Sequence, residues 1–212
     1  MLYKENDLQV FEGGKLLPIV EDFYTIQGEG FHVGRPAYFV RVGGCDIGCS
    51  WCDTKFSWNP AIHPLHEVDR IIERIIQHNA NVTVVTGGEP LIYPMKYLTD
   101  KLHSYNIEAY IETSGAYELS GNWDWICLSP KKNSPPKNGI YKMAHELKVI
   151  IQDEKDIEWA ELNASLVNSS CLLFMQPEWS NYLQITPVLV DYIKINKRWR
   201  ISLQAHKFMK IP

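Results

Sequence analysis

The chain has 212 residues, 45% hydrophobic and 22% charged, and this ordinary globular composition and length favour a single domain over residues 1–212. Its formal net charge of −4 offers no basic surface for nucleic acid, and no apolar run reaches the ~18 residues that span a bilayer. Because the first residues are charged and lack the apolar core of a signal peptide, we expect a soluble, cytoplasmic protein without a membrane or nucleic-acid partner.

Strand-like and helix-like segments alternate along the chain after residue 38. Apolar residues recur at helical spacing over 65–79, whereas β-branched residues fill 81–86 until Gly87 and Gly88 stop that strand. Pro187 is expected to kink or delay the helix that contains it. In chain order the predicted elements are a strand at 38–42, a helix at 65–79, a strand at 81–86, a helix at 95–104, strands at 107–112, 125–128 and 146–151, a helix at 155–166, a strand at 171–175, a helix at 182–195 and a strand at 200–204.

This alternation predicts an α/β fold with a parallel sheet and right-handed crossovers. About six such units are too few to close an eight-stranded barrel, so we expect an open, partial (βα)6 barrel. Sites in these folds lie at the carboxyl ends of the strands. Side chains directly after each strand are therefore the candidates for binding and chemistry.

Three cysteines, Cys45, Cys49 and Cys52, lie close together directly after the first predicted strand, in the spacing C-x3-C-x2-C. Three thiolates can hold three corners of a [4Fe–4S] cluster and leave the fourth iron open. Two alternatives are a zinc site completed by His63 or His66, although zinc sites usually come as two separated cysteine pairs, and a disulfide framework, which the odd cysteine count disfavours. The two remaining cysteines lie alone in apolar runs, at positions 127 and 171, and are expected to be small buried hydrophobes.

Polar or glycine- and proline-containing segments follow several of the predicted strands. After the strand at 81–86 come Gly87, Gly88 and Glu89, where glycine permits a close backbone approach and the carboxylate suits the ammonium of an amino-acid-like ligand. The alternative is a plain strand-terminating turn. Comparable segments stand at 112–115, 129–131 and 176–179, so the strand ends together predict a cofactor cleft.

The cysteine spacing followed by a Gly-Gly-Glu-Pro turn resembles the radical S-adenosylmethionine (radical SAM) superfamily. More narrowly, the chain resembles the 7-carboxy-7-deazaguanine synthase family over about residues 24–212. The segments that carry this resemblance are 24–30, 34–37, Arg41, 45–54, 112–115, 129–131, 176–177 and 202–207.

This resemblance implies a lyase that converts 6-carboxy-5,6,7,8-tetrahydropterin to 7-carboxy-7-deazaguanine, a precursor of queuosine-type bases, with loss of ammonia. A 5′-deoxyadenosyl radical made from SAM would remove the hydrogen at C6, and the rearranged substrate radical would recover a hydrogen, so that SAM acts catalytically. The implied cofactors are a [4Fe–4S] cluster, SAM and Mg²⁺. The implied partners are a small pterin substrate, an external flavodoxin-like electron donor and a second copy of the chain in a homodimer.

The resemblance also implies roles for individual residues, none of them as an acid or base. Cys45, Cys49 and Cys52 match the cluster ligands, and Thr54 matches the magnesium ligand. The positions that match SAM contacts are Trp51, Cys52, Asp53, Gly87, Gly88, Glu89, Gly115, Ser129, Pro130, Lys131, Gln176, Pro177, Glu178 and Trp179. The positions that match substrate contacts are Ile26, Gln27, Gly28, Arg41, Thr113 and Pro212.

Two rival functions are a glycyl-radical enzyme activating enzyme, which would act on a protein, and a zinc-binding interaction module without activity. The segments 27–30 and 204–207 argue against the activating enzyme. The colour of the protein would distinguish the zinc module, because an iron–sulfur protein purified without oxygen is brown and a zinc protein is colourless.

Overall fold

The computed structural model describes residues 11–212, which form a nine-stranded sheet with helices packed against it. The charged residues 1–10, on which the expectation about a signal peptide rests, lie outside the described range. The strands are β1 (Leu16–Ile26), β2 (Pro36–Val42), β3 (Leu65–Glu67), β4 (Val82–Gly87), β5 (Glu108–Thr113), β6 (Trp125–Leu128), β7 (Glu146–Ile151), β8 (Leu172–Pro177) and β9 (Trp199–Ile201). The helices are α1 (Val68–Gln77), α2 (Lys96–Ser104), α3 (Asn138–Met143), α4 (Lys155–Ala164), α5 (Tyr182–Ile195) and α6 (Ala205–Met209).

The sheet has the strand order β3-β1-β2-β4-β5-β6-β7-β8-β9 and is open at both ends. From β2 to β9 neighbouring strands are parallel, while β1 pairs antiparallel with both β2 and β3. The prediction of an α/β fold with an open, mostly parallel sheet is therefore confirmed. No helix in the described part of the chain is long and apolar enough to cross a membrane.

The predicted strands and helices are all present, with boundaries that differ by up to three residues. The largest difference at a helix start is at residues 65–67, which were predicted to begin a helix and instead form β3. They pair with the start of β1, and the Val68 N–H donates to the Lys15 carbonyl over 2.8 Å, so this pairing holds the segment extended. Tertiary pairing thus overrides the helical periodicity here.

Four elements were not predicted: β1, β3, α3 and α6. Residues 16–26 include Pro18 and two adjacent acidic residues, and apolar and polar residues do not alternate regularly there. The strand could therefore not be recognised from the sequence pattern. The expected delay of the helix at Pro187 is wrong, because α5 starts at Tyr182 and continues through the proline. Pro187 stands in the second turn and removes the bond to the carbonyl of Leu183, an exposed residue whose carbonyl can bond water.

Alternation along the parallel strands separates an apolar outer face from a mixed inner face. The outer residues, among them Val40, Val85, Ile111 and Val149, are buried in two clusters with the helices. The inner face is apolar near the amino ends of the strands and carries charged or polar side chains near their carboxyl ends. The inner residues of this kind are Arg41 on β2, Glu112 on β5, Lys148 on β7 and Gln176 on β8.

Candidate active site

One cavity of about 410 Å³ lies at the carboxyl ends of the strands and brings most of the predicted site residues together. Gly115 and Pro130 do not line it, and Gly115 lies behind the wall against Leu128 and Ile140. The predicted residues that line the cavity are Ile26, Gln27, Gly28, Arg41, Cys45, Cys49, Trp51, Cys52, Asp53, Thr54, Gly87, Gly88, Glu89, Thr113, Ser129, Lys131, Gln176, Pro177, Glu178, Trp179 and Pro212.

Cys45, Cys49 and Cys52 lie in the loop that follows β2, and all three line the cavity as partly buried free thiols. The Cys45 N–H donates to the Trp58 carbonyl and the Cys52 N–H to the Cys49 carbonyl, each over 3.1 Å, which fixes the shape of the loop. Burial raises the pKa of the Cys45 thiol to about 11 and also raises that of Cys49. Binding of a metal group would therefore displace protons from these thiols.

This donor set fits an iron–sulfur cluster better than it fits zinc. Within residues 11–212, no three histidine, cysteine or acidic side chains are arranged to hold a single metal ion. His63, one candidate for a fourth zinc ligand, is instead hydrogen-bonded to the Phe56 carbonyl over 2.9 Å. Three unpaired thiols around one cavity are the donors that a four-iron cubane with an open iron requires. Cys127 and Cys171 are buried, as predicted.

The turn after β4 packs directly onto the cysteine loop. A β-carbon on Gly88 would lie only 2.0 Å from the Gly44 carbonyl oxygen, so the turn requires glycine because two backbones touch there. The Glu89 N–H donates to the same Gly44 carbonyl over 2.8 Å. The turn and the loop are thus one unit, and both face the cavity.

The Glu89 carboxylate is buried and already accepts hydrogen bonds from four donors. These are the backbone N–H groups of Leu91 and Ser114, at 3.0 and 2.8 Å, and the hydroxyls of Thr113 and Ser114. An ionised carboxylate offers about four acceptor positions. Glu89 therefore braces the end of β4 against the end of β5, and a contact between its carboxylate and a ligand amine stays a prediction.

Lys131 forms part of the cavity wall next to the cysteine loop. Its Nζ donates to the Ser129 carbonyl over 2.7 Å and lies 5.4 Å from the centre of the Trp51 ring, within range of a cation–π contact. Burial lowers the pKa of Lys131. The segment at 129–131 is thereby held against the loop that carries the cysteines.

Thr54 precedes a short 3₁₀ helix, Lys55–Ser57, as the sequence pattern of a capping residue would suggest. Its side chain makes no capping hydrogen bond to this helix in the described structure. The hydroxyl instead lies 3.5 Å from the Cys52 sulfur and lines the cavity. The geometry leaves the Thr54 oxygen available to a ligand, which the capping alternative would not.

Arg41 lines the cavity from β2 and also forms an ion pair. Its Nε lies 2.8 Å from Glu21 Oε1 on the neighbouring strand β1. A pairing through Nε occupies one edge of the guanidinium, so the terminal nitrogens keep donors for a further partner. The salt bridge with Glu21 is thus present, but it uses only one of the guanidinium nitrogens of Arg41.

The C-terminal segment returns to the cavity through a close contact with Gly28. A β-carbon on Gly28 would lie 2.4 Å from His206 Nδ1, and the Ala205 N–H donates to the Gly28 carbonyl over 2.8 Å. After α6, Lys210 adopts the left-handed conformation with φ of 56°, which ends the helix and turns the chain. Pro212 consequently lines the cavity.

Glu178 and Trp179 have separate tasks at the end of β8. The Glu178 carboxylate accepts from the Ser180 N–H over 3.0 Å and caps the short helix Trp179–Asn181. The Trp179 ring stacks on Tyr182 and meets the edge of Phe208, with centroids 5.0 and 5.2 Å apart. Trp179 therefore anchors α6 beside the cavity.

Several cavity residues were missed by the assignment from the sequence. Glu29, Glu112, Gln204, His206 and Lys207 stand in segments that carried the family resemblance, but they received no role. Lys148 and Ile150 were missed because β7 reads as a plain buried strand. A lysine inside a strand that is apolar apart from Glu146 was the available signal, since lysine is almost never fully buried without a partner.

Comparisons with known proteins agree with this arrangement. The model of the radical SAM superfamily matches residues 39–125. The chain is 53% identical to 7-carboxy-7-deazaguanine synthase from Flavobacterium psychrophilum over 212 residues, the full length of both chains. It is 40% identical to the enzyme of that name from Synechocystis sp., over 92% of this chain and 93% of that one.

The crystal structure of QueE from Escherichia coli is similar to this structure with a TM-score of 0.80 and 30% sequence identity, covering 96% of this chain and all of that one. Sequence identities of 30% or more over nearly the whole chain, with the same fold, indicate membership of the family and not only of the superfamily. The chain belongs to the 7-carboxy-7-deazaguanine synthase family of radical SAM enzymes.

Proposed function

We propose that this enzyme converts 6-carboxy-5,6,7,8-tetrahydropterin to 7-carboxy-7-deazaguanine with loss of ammonia, in the synthesis of queuosine-type bases. The observation that carries the proposal is that one cavity is lined by the three free thiols together with arginine, carboxylate and amide groups. Residues 1–212 would act as a single catalytic domain. The activating enzyme and the zinc module are set aside, because the relatives over the whole chain carry the synthase name.

Membership of the superfamily implies a [4Fe–4S] cluster and SAM. Cys45, Cys49 and Cys52 would hold the cluster, and when bound the two groups supply the radical that removes the substrate hydrogen. The wall that would hold SAM is formed by the turn at 87–89, the segment at 129–131 and the end of β8 with Trp179. Trp51 and Asp53 would contact SAM from the cysteine loop.

The substrate would occupy the side of the cavity formed by β1, β2 and the C-terminal segment. Arg41 would bind its carboxylate, because the terminal nitrogens of the guanidinium can donate two parallel hydrogen bonds. Gln27 would contribute amide contacts there, with Ile26 packing on the ring. The Pro212 carboxylate of the 212-residue chain would accept from the N–H groups of the pterin's guanidine-like edge.

Thr54 would bind Mg²⁺ through the hydroxyl that lines the cavity, with water and substrate oxygens completing an octahedral shell. An external flavodoxin-like protein would deliver the electron. A homodimer is part of the proposal, and the partly exposed side chains of Phe31 and Val33, in the connection between β1 and β2, are the candidate contacts with the second copy. A cytoplasmic location is supported by the five cysteines, all free, since such thiols persist in reducing compartments.

The proposal is tested by anaerobic turnover of the carboxytetrahydropterin with SAM, Mg²⁺ and a chemical reductant. We expect a brown protein that forms the deazaguanine and ammonia in equal amounts while SAM is conserved. Stoichiometric cleavage of SAM without deazaguanine would contradict the assignment of the substrate. A colourless protein without iron would contradict the assignment of the cluster.

A further inference from the structure

A group of buried charged side chains that received no role in the assignment from the sequence lies in the cavity wall. Lys148 Nζ is 2.6 Å from Glu29 Oε2 and 2.6 Å from Glu112 Oε2. Only 4% of the Lys148 side chain is exposed, against 20% for Glu112, and all three residues line the cavity. We call Lys148, Glu29 and Glu112 the buried ion cluster.

Glu29 and Lys148 hold each other in their charged forms. Burial alone would raise the pKa of Glu29, but the charge and hydrogen bond of Lys148 lower it to about 2. Burial alone would lower the pKa of Lys148, but Cys127, Glu112 and Glu29 around it raise it well above its usual range. The cluster thus brings two acidic side chains and one basic side chain together in this part of the cavity wall.

Glu112 is the member with the more weakly held oxygen. Glu29 uses one oxygen for Lys148 and the other for Gln204 Nε2, at 3.0 Å. Glu112 also gives one oxygen to Lys148, but its second oxygen has only a 3.3 Å contact with Gln27 Nε2. The ammonium of Lys148 fixes the direction of the Glu112 carboxylate, and the weakly held oxygen is left for a ligand N–H.

A replacement of this cluster by apolar side chains would serve stability as well or better, because the desolvation of buried ions offsets much of their attraction. Its position in the wall of the catalytic cavity therefore points to chemistry. Arg41, on β2, supplies the positive charge for a carboxylate. The carboxyl oxygens of the buried ion cluster suit the N–H groups of a reduced, nitrogen-containing ring.

We propose that Glu112 contacts the ring nitrogen that leaves as ammonia and carries the proton for its departure, with Lys148 as the positioning residue. This inference rests on the proposed function. The pterin ring has a nitrogen beside C6 that the pyrrole ring of the product lacks. After the radical steps this nitrogen must be eliminated from a carbon whose neighbour carries a hydrogen.

The elimination balances with one carboxylate. Glu112 takes the proton from the ring carbon, the electrons of that C–H bond form a carbon–carbon double bond, and the neighbouring C–N bond breaks. The departing nitrogen takes the proton back from Glu112 and leaves as ammonia, so the carboxylate is regenerated. No oxidant or reductant is consumed in this step, and proton transfer by a positioned side chain contributes roughly 10²- to 10⁴-fold to a rate.

The test separates the radical steps from the elimination. The substrate carries deuterium at C6, so that removal and return of this hydrogen place deuterium in the SAM that is recovered. Wild type, Glu112→Gln and Glu108→Gln are compared for deuterium in SAM and for deazaguanine formed. Glu108 is a matched control because it lies on the same strand and face but outside the cavity, paired with Arg35 over 2.8 Å.

We expect Glu112→Gln to keep deuterium transfer within a few-fold of wild type and to form the product about 100-fold or more slowly. Glu108→Gln should match wild type in both measurements. Substrate affinity of the unreduced enzyme, measured by calorimetry, should fall in Glu112→Gln because a neutral amide replaces a charged acceptor.

Product formation by Glu112→Gln within a few-fold of wild type would overturn the inference. Both rates are measured at saturating substrate, and a parallel loss of deuterium transfer and product there would also overturn it, because Glu112 would then act before the elimination or in folding. If Glu112→Gln fails to load its cluster, Glu112→Asp replaces it in the same measurements. The aspartate keeps the carboxylate but, being one methylene shorter, holds it farther from the substrate. A wild type that neither transfers deuterium nor forms the deazaguanine would refute the proposed function itself.

Discussion

Lys207 Nζ lies 2.6 Å from Asp53 Oδ2, so the C-terminal helix is tied to the residue that directly follows the cysteine Cys52. The same Nζ lies 5.0 Å from the centre of the Trp179 ring. The Lys207 side chain therefore joins the part of the cavity proposed for the substrate to the loop proposed for the cluster. Displacement of α6 would move Pro212 and the cysteine loop relative to each other.

The first prediction concerns this connection. Lys207→Met should weaken substrate binding modestly, because an ion pair whose partner is half exposed contributes about 0.2–1 kcal/mol, or roughly 1.4- to 5-fold in affinity. SAM binding should change less. Calorimetric titration of both ligands measures the difference. Lys210→Met serves as a control, because Lys210 takes no part in the ion pair between Lys207 and Asp53. Equal losses for the two ligands would show that Lys207 supports the whole cavity and does not act on the substrate side alone.

Replacement of Cys45, Cys49 or Cys52 by alanine should abolish iron loading and SAM cleavage, because two thiolates cannot hold the cubane. Cys171→Ser is the control, and we expect it to keep the iron and lose about 0.5–3 kcal/mol of unfolding free energy. Iron analysis, the visible spectrum and thermal unfolding provide the readouts. Full cluster loading in Cys49→Ala, or loss of iron in Cys171→Ser without loss of fold, would refute the assignment of ligands.

Thr54→Ala should lower activity and its response to magnesium while the cluster remains, because the hydroxyl is free of a capping bond and faces the cavity. Thr54→Ser keeps the oxygen and should retain most of the response. The measurement is activity as a function of magnesium concentration at fixed iron content. An unchanged titration in Thr54→Ala would remove Thr54 from the metal site.

Arg41→Lys should weaken substrate binding by about 10-fold, because lysine keeps the charge but cannot donate two parallel hydrogen bonds to a carboxylate. Glu21→Gln is the matched control, since it removes the ion pair at Arg41 Nε and leaves the guanidinium in place. Affinities for substrate and SAM are compared in both variants. If Glu21→Gln causes the larger loss of substrate affinity, the salt bridge matters more than the proposed contact.

Addition of three glycines after Pro212 should weaken substrate binding by roughly 10- to 150-fold, because it moves the carboxylate away from a charge-assisted contact of about 1.5–3 kcal/mol. Cluster content and SAM affinity should stay normal, since the extension leaves the cysteine loop unchanged. The same three glycines added at the N-terminus serve as the control. Substrate affinity equal to that of the unextended chain would exclude a role for the Pro212 carboxylate.

Much of the fold could be predicted because the helices and parallel strands carry local signals. The bounds of β6, β7 and α5 agree with the predicted ranges residue for residue. Prediction failed where the partner lies far away in sequence. Residues 65–67 are extended because they pair with β1, and β1 itself has no regular alternation, so neither could be recognised from its own residues.

The sequence by itself determined the chemical class of the site, because the three thiols stand within eight residues and the glycine turn within three, so their spacing is visible along the chain. The tertiary structure decided which charges act together. Lys148 on β7 pairs with Glu29, in the loop after β1, and with Glu112 on β5. Glu89 follows β4 and is held by four hydrogen-bond donors, which its place in the sequence did not indicate. Electrostatic and hydrogen-bonding partners depend on distances of a few ångströms in space, and those distances exist only once the sheet has assembled.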